Sequence, residues 1–293
     1  MVIGKPAPFV SAFVDAVDAA IRVHQPHHAM AVTQRTWLAF CLTAVLVTNS
    51  LGWARFARAS LGTYALAALS WMFRHRKLPW AQLLVASVWV ILRHHGITSG
   101  SLVIDDTDNP RSKSAKALAY LYKLRDKESG GYRWGQSLVF LLLVTPKISI
   151  PVGVVFYQPA PELSAWYKTA KALKTQGVPT KQRPRKPAPN PHYPTKEHLA
   201  RRVLASFKAQ HPDVRIHSVM ADALSGTATF VEGASALFSG GQVISQSRST
   251  QNIRVGKRDQ HVADYCATHP GTPSPIRIRG GAEVVAMVGS ARL

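Results

Sequence analysis

Two short apolar runs of β-forming residues, each followed by an aspartate, constrain the fold of this chain more than any other feature of its sequence. The first run occupies residues 102–104 and leads into Asp105 and Asp106, and the second occupies residues 219–221 and leads into Asp222. A single acid after a strand is usually a turn residue or a helix cap. Two such strands that lie side by side and parallel would instead bring their acids to one sheet edge. The pair therefore indicates an α/β fold with an acidic site.

Carboxylates that are forced together at a sheet edge indicate metal chemistry. Like charges repel each other, and a divalent cation placed between Asp106 and Asp222 would relieve that repulsion. Mg²⁺ prefers carboxylate oxygens and keeps several water ligands. Two such ions, roughly 3.5–4 Å apart, can activate a water or a 3′-hydroxyl and stabilise a leaving oxygen.

Residues 101–246 show strand and helix patterns in a definite order. We predict strand, strand, strand, helix, strand, helix and strand, an order that matches a ribonuclease-H-like mixed sheet. In such a sheet the first three strands are antiparallel, and the fourth is parallel to the first. The segments concerned are strands at 101–104, 136–144, 148–157, 214–221 and 242–246, and helices at 163–174, 196–210 and 230–238.

The chain before this region is predicted to form an all-α N-terminal domain over residues 1–97. Phe9, Phe13, Val17 and Ile21 recur at helical spacing. A sharper hypothesis is that this domain binds DNA. The basic residues that would face phosphates are Arg55, Arg58, Arg74, Arg76 and Lys77.

Three charge-free stretches in the N-terminal region, at 36–54, 59–73 and 78–92, raise a membrane alternative. The first is just long enough to span a bilayer, but its apolar density falls in its second half. We interpret all three as buried helices of one bundle. A membrane-associated helical protein remains the alternative hypothesis.

The charge balance points to a polyanionic partner. Lys and Arg number 36 against 15 Asp and Glu, which gives a formal net charge of +21. The excess is spread along the whole chain, as expected for a broad DNA-contacting surface. The hydrophobic fraction of 46% excludes a disordered polyelectrolyte. Two cysteines without a C-x-x-C pair favour a reducing cytoplasm over a disulfide framework or a zinc ribbon.

Three short motifs resemble segments of the DDE transposases of bacterial insertion sequences. Ile104-Asp105-Asp106-Thr107, with Gly135-Gln136 opening a later strand, resembles their first-aspartate region. Ala221-Asp222-Ala223-Leu224-Ser225-Gly226 resembles the second-aspartate region, and residues 244–249 resemble the strand before a β-rich insertion. The resemblance covers roughly residues 100–293.

The resemblance implies a DNA transposase that cleaves phosphodiesters and transfers strands at transposon ends with Mg²⁺, or alternatively Mn²⁺. Asp106 and Asp222 would be the catalytic metal ligands. Asp105 is the fallback, because neighbouring strand residues point to opposite faces and at most one of the two should serve directly. Residues 98–247 would be the catalytic core, and residues 248–293 would begin the β-rich insertion.

The resemblance also implies a setting for this activity. The partners would be double-stranded DNA, both transposon ends and target, and a second copy of the chain in a homodimer on DNA. The protein would be cytoplasmic and nucleoid-associated, without a membrane partner. The basic residues predicted to contact phosphates are Lys113, Lys116, Lys123, Arg125, Lys127, Arg133, Arg183, Arg185, Arg248 and Arg254.

One feature departs from the family pattern, in which a third acid, a glutamate, lies on a later helix. The acids after Asp222 are Glu232, Asp259, Asp264 and Glu283, and none falls in such a helix. We therefore expect a chain that is truncated before the third acid. This leaves a non-catalytic DNA-binding fragment, which would repress the full-length enzyme, as an alternative function. A phosphatase of the haloacid-dehalogenase type, suggested by Asp106-Thr107-Asp108, is a weaker one because Pro110 breaks its motif.

Overall fold

The computed structural model describes residues 4–111, 118–126, 128–222, 226–246, 251–256, 258–277 and 283–289. Within these ranges the fold is α/β, with nine α-helices, one six-stranded mixed sheet and two separate two-stranded sheets. The prediction of an α/β fold with a mixed sheet is confirmed. The first part of the chain forms α1 (Pro8–His24), α2 (Val32–Thr48), α3 (Trp53–Ala59), α4 (Leu66–His75) and α5 (Trp80–His95).

Helix α1 is where the sequence predicts it, but its buried stripe differs from the predicted one. Val10, Val14, Val17 and Ile21 are buried, whereas Phe9 is 69% exposed. A stripe that starts at position 10 and advances by four, three and four residues follows the 3.6-residue helical repeat closely. The predicted stripe advances by four residues at every step and drifts around the helix.

The predicted helix over residues 59–73 is wrong, because the chain breaks between α3 and α4. Leu61 and Gly62 have φ angles of 45° and 87°, which a right-handed helix cannot contain. The Ser60 hydroxyl stabilises the turn between the two helices, because it accepts a hydrogen bond from the Tyr64 amide at 3.1 Å. Of the α4 residues, Leu69 is the buried one.

Helix α2 is also shorter than the charge-free stretch that contains it. It ends at Thr48, where Asn49 takes a left-handed conformation with φ of 46°. Among the described residues, no single helix is long and apolar enough to cross a membrane. Helices α2 and α3 reach the necessary length and composition only as a pair, and that pair is bent by 88°.

The six-stranded sheet has the order β2-β3-β1-β5-β6, and β4 also pairs with β3. Strands β2 and β3 are antiparallel, and strands β5 and β6 are parallel. The predicted pairing of the runs at 136–144 and 148–157 is confirmed by β3 and β4. The strand ranges are β1 (Ser99–Pro110), β2 (Tyr122–Arg125), β3 (Tyr132–Val144), β4 (Ser149–Tyr157), β5 (Arg215–Ala221) and β6 (Gln242–Ser245).

Strand β1 continues beyond the predicted end at Asp105 and Asp106 as far as Pro110. The extension is paired, since the Arg111 amide donates to the Trp134 carbonyl at 2.8 Å. Gly135 allows this close approach: a Cβ built there would lie 2.8 Å from the Asn109 carbonyl oxygen. The two acids therefore sit within a strand, not after one.

The remaining elements follow the prediction except that strand β2 is additional. The two helices predicted before β5, at 163–174 and 196–210, are both present. Thr227 caps the helix after β5, since its hydroxyl accepts from the Phe230 amide at 3.2 Å. These elements are α6 (Pro161–Thr175), α7 (Lys196–Gln210), α8 (Ala228–Leu237), β7 (Asn252–Val255), β8 (Arg258–His261), α9 (Val262–Thr268), β9 (Thr272–Arg277) and β10 (Glu283–Val288).

The chain divides into two compact units. The first comprises the chain through Gly100 together with Leu142–Gly153 and Ala209–Arg215, and the second comprises Ser101–Leu141, Val154–Lys208 and the chain from Ile216 onward. The helical core of the first unit includes Val14, Phe40 and Leu69. The predicted domain boundaries at residues 97 and 247 stay predictions.

Candidate metal centre

Three carboxylates of the second unit converge at one place in the sheet. Asp105, Asp106 and Asp222 each bring an oxygen atom to within 4.8 Å of the others. Asp106 is half-buried, and the other two side chains are exposed. The structure thus brings together the two predicted metal ligands and the fallback residue. We call these three side chains the acidic triad.

Two hydrogen bonds, one just before β1 and one within it, connect this part of the chain to β5 and explain why the triad forms. The Arg215 amide donates to the Thr98 carbonyl at 2.9 Å, and the Ser218 hydroxyl donates to the Ser101 hydroxyl at 2.9 Å. Partners occur in the same order along both strands, so the strands run in the same direction. Asp222, directly after β5, therefore arrives beside the acids of β1.

Asp105 joins the triad although a strand should point it away from Asp106. Its Oδ1 accepts a hydrogen bond from the Asp106 amide at 2.8 Å, so the side chain folds back toward its neighbour. The expectation that at most one of the two acids could serve directly thus differs from the observed geometry. On the other strand, the Ser245 hydroxyl donates to the Asp222 carbonyl at 2.8 Å and ties this residue to β6.

Lys196 forms an ion pair with Asp106 Oδ2, and sequence reasoning missed this residue. It is the first residue of α7, and its Nζ lies 5.4 Å from the centre of the Tyr157 ring. The Thr195 hydroxyl accepts from the His198 amide at 3.2 Å, which fixes the start of the helix. A lysine in a first helical turn is unfavourable for the helix dipole, and this is the one signal of its role in the sequence.

A cleft of about 500 Å³ adjoins Lys196. Its lining includes Lys123 and Arg125, both predicted to contact phosphates, together with Asp108 and Tyr122. Burial raises the pKa of Tyr122 to about 12. The phenol therefore stays protonated and neutral at physiological pH. We call this space the basic cleft.

Three other predicted phosphate contacts have partners within the protein. Arg133 lies 3.7 Å from an Asp126 oxygen, Arg183 Nε donates to the Val178 carbonyl at 2.8 Å, and Arg254 Nε donates to Asp259 at 2.9 Å. Arg185 is exposed. The predicted contacts Lys113, Lys116, Lys127 and Arg248 lie outside the described residues.

The donor chemistry of the triad fits a hard divalent cation. All three groups offer carboxylate oxygens, which Mg²⁺ and Mn²⁺ prefer, and two of them are open to water ligands. The later acids Glu232, Asp259, Asp264 and Glu283 are all described, and none belongs to the group. The ammonium of Lys196 contacts one of the oxygens that a cation would use.

Comparison with known proteins adds no family to this picture. No protein-family model matches the sequence, and no curated protein shows detectable similarity to it.

Proposed function

We propose that this protein is a metal-dependent phosphodiester-cleaving enzyme of the DDE transposase type. One observation supports the proposal above all others: neighbouring parallel strands bring Asp105, Asp106 and Asp222 within 4.8 Å of one another. Separate strands that deliver carboxylates to one sheet position are what a shared cation requires.

The strand arrangement supports a ribonuclease-H-like sheet as the framework. Strand β1 lies between β3 and β5, and β6 extends the sheet as a parallel strand beyond β5. In support of this proposal, the early strands β2, β3 and β4 lie on one side of β1, and the later strands β5 and β6 lie on its other side. Strand β2 is an addition to that pattern.

Each residue of the triad has a distinct role in this proposal. Asp106 and Asp222 would hold Mg²⁺ or Mn²⁺, and Asp105 would supply a third carboxylate oxygen. When bound, the metal supplies Lewis-acid stabilisation of phosphate oxygens and a source of hydroxide at neutral pH. The half-buried position of Asp106 limits the water that competes for its oxygens.

The charge of the chain supports double-stranded DNA as the substrate. A net charge of +21 favours binding to a polyanion, and the basic cleft lies beside the triad. By family resemblance we extend the proposal to cleavage and strand transfer at transposon ends. The active species would be a homodimer on DNA, and the protein would be cytoplasmic and associated with the nucleoid.

Nicking of supercoiled plasmid by the purified full chain tests the enzymatic proposal. We expect Mg²⁺- or Mn²⁺-dependent nicking that is abolished in Asp222→Asn. Glu232→Gln is the matched control, because this acid is exposed on α8 and lies outside the triad. Nicking that survives Asp222→Asn, or that is lost equally in Glu232→Gln, would refute the assignment of Asp222.

A second candidate function is DNA binding without cleavage. Two features of the described site favour it. The acids of the site are aspartates, without the glutamate of the family pattern, and Lys196 forms an ion pair with one of them, Asp106. Fluorescence anisotropy with a short duplex, over a series of salt concentrations, tests it. Tight salt-dependent binding without nicking in either metal would support this candidate over the enzyme.

A further inference from the structure

We propose that the Lys196 ammonium leaves Asp106 and forms an ion pair with a phosphate of bound DNA instead. A divalent cation that binds at the acidic triad drives this exchange of partners. This inference rests on the proposed function, because it assumes that the triad binds the cation. It assigns to Lys196 a phosphate-binding role that depends on metal, and it makes the basic cleft a phosphate subsite.

Competition for one oxygen atom is the first step. The Lys196 ammonium contacts Asp106 Oδ2, which is among the oxygens available to a cation at the triad. An ammonium and a divalent ion on the same carboxylate repel each other strongly at such short range. Entry of the cation therefore weakens the ion pair.

The position of Lys196 allows its side chain to move while its backbone stays in place. Helix α7 is anchored by buried Leu199, Leu204 and Phe207, and its first turn is capped by Thr195. The lysine stem has four carbons between this fixed backbone and the ammonium. The charge can therefore leave Asp106 without any rearrangement of the helix.

The basic cleft offers the released ammonium a destination. Lys196 lines this cleft together with Lys123 and Arg125. Asp126, which also lines it, accepts from the Ser129 hydroxyl at 2.8 Å and lies 3.7 Å from Arg133, so its charge is partly compensated. Asp108 also lines the cleft, so its three cations face two carboxylates and leave a net charge of +1. That net charge suits a single phosphate, the one that follows or precedes the phosphate being cleaved.

Two consequences distinguish this exchange from a structural ion pair. Without DNA, Lys196 should weaken cation binding, because the cation must displace it. With DNA, Lys196 should strengthen DNA binding only when a cation occupies the triad, because otherwise its ammonium stays on Asp106.

The first measurement is Mn²⁺ affinity without DNA, by isothermal titration or by electron paramagnetic resonance. We expect Lys196→Gln to bind Mn²⁺ roughly two- to fivefold more tightly than the wild type, the range for a partly exposed ion pair. Lys208→Gln is the matched control, since it removes the same charge from the same helix about 18 Å away. Equal or weaker Mn²⁺ binding by Lys196→Gln overturns the exchange.

The second measurement is affinity for a short duplex, in EDTA and in saturating Ca²⁺. We expect Lys196→Gln to match Lys208→Gln in EDTA and to bind roughly two- to fivefold more weakly than it in Ca²⁺. If Lys196→Gln weakened DNA binding equally in EDTA and in Ca²⁺, the contribution of Lys196 to DNA binding would not depend on the cation. That result would overturn the proposal.

Asp222→Asn separates failure of this inference from failure of the proposed function. If Mn²⁺ binds the wild type, is lost in Asp222→Asn and is unaffected by Lys196→Gln, only the exchange is overturned. If neither the wild type nor Lys196→Gln binds Mn²⁺, the metal site and the exchange both fail.

Discussion

Lys196 and Asp106 form an ion pair across 90 residues of sequence, which joins the first turn of α7 to the middle of β1. The acidic triad therefore includes a carboxylate that already has a cationic partner from the protein itself. Such a partner offsets part of the repulsion among the three carboxylates. It also means that a metal ion at this site must compete with a tethered ammonium as well as with water.

Added Mn²⁺ should stabilise the wild-type protein against thermal unfolding. At a concentration ten times its Kd, a ligand that binds only the folded state adds about 1.4 kcal/mol to the free energy of unfolding. We expect Tm to rise by a few degrees, as measured by differential scanning fluorimetry. The rise should vanish in Asp222→Asn and persist in Glu232→Gln; an undiminished rise in Asp222→Asn would place the metal elsewhere.

The sequence could predict the parts of the site that follow from local patterns and from the order of the elements. The strand that contains Asp106 and the strand that ends before Asp222 are visible as apolar runs, and their pairing follows from the order of elements. In two adjacent parallel strands, residues at the same level lie side by side. The amino-acid sequence alone was therefore enough to predict that the two acids are neighbours.

Lys196 and the basic cleft could not be predicted in the same way, because neither follows from a local pattern or from the order of the elements. The position of Lys196 is set by how α7 packs, which no local pattern encodes. The inclusion of Asp105 depends on a single hydrogen bond to the next amide, which overrides the alternation of a strand. The length of β1 depends on a glycine in β3, 25 residues beyond the end of β1.

Gly135→Ala should destabilise the protein at the extension of β1. A Cβ there would lie 2.8 Å from the Asn109 carbonyl oxygen and 3.2 Å from the Pro110 Cα, so backbone atoms would have to shift. We expect a loss of about 1–3 kcal/mol in the free energy of unfolding, measured by urea denaturation.

Gly131→Ala is the control for this substitution. A Cβ at Gly131 would meet only the Ser129 hydroxyl, at 3.4 Å, and its φ is not positive. We expect a change within about 0.5 kcal/mol. Equal effects at the two glycines would contradict the close packing of β1 against β3.

The two cysteines should differ sharply in reactivity toward an aromatic disulfide reagent. Cys41 is buried in α2, and burial raises the pKa of its thiol to about 12, so the reactive thiolate is scarce. Cys266 is exposed. The native protein should therefore react with one equivalent of reagent rapidly, and with the second only in denaturant. Cys266→Ser should remove the rapid phase and Cys41→Ser should retain it; two rapid equivalents would show that α2 is not packed as described.

His211 should make the protein less stable as the pH falls from 7 to 5. Its side chain is 4% exposed, and its ring lies 6.0 Å from that of Trp89. Burial lowers the pKa of His211 to about 4, whereas the unfolded chain has the ordinary value near 6.5. Between these values the unfolded state binds more protons than the folded state, so acidification favours unfolding.

The size of this effect follows from linkage, and His211→Gln isolates it. Between pH 7 and pH 5 the free energy of unfolding should fall by about 2 kcal/mol from this residue alone. Urea denaturation of the wild type and the variant at both pH values measures the difference. Glutamine takes up no proton, so the variant should lose about 2 kcal/mol less than the wild type over this range, whatever its stability at pH 7. If both proteins lost the same free energy on acidification, the histidine would have to be protonated or hydrated within the folded first unit.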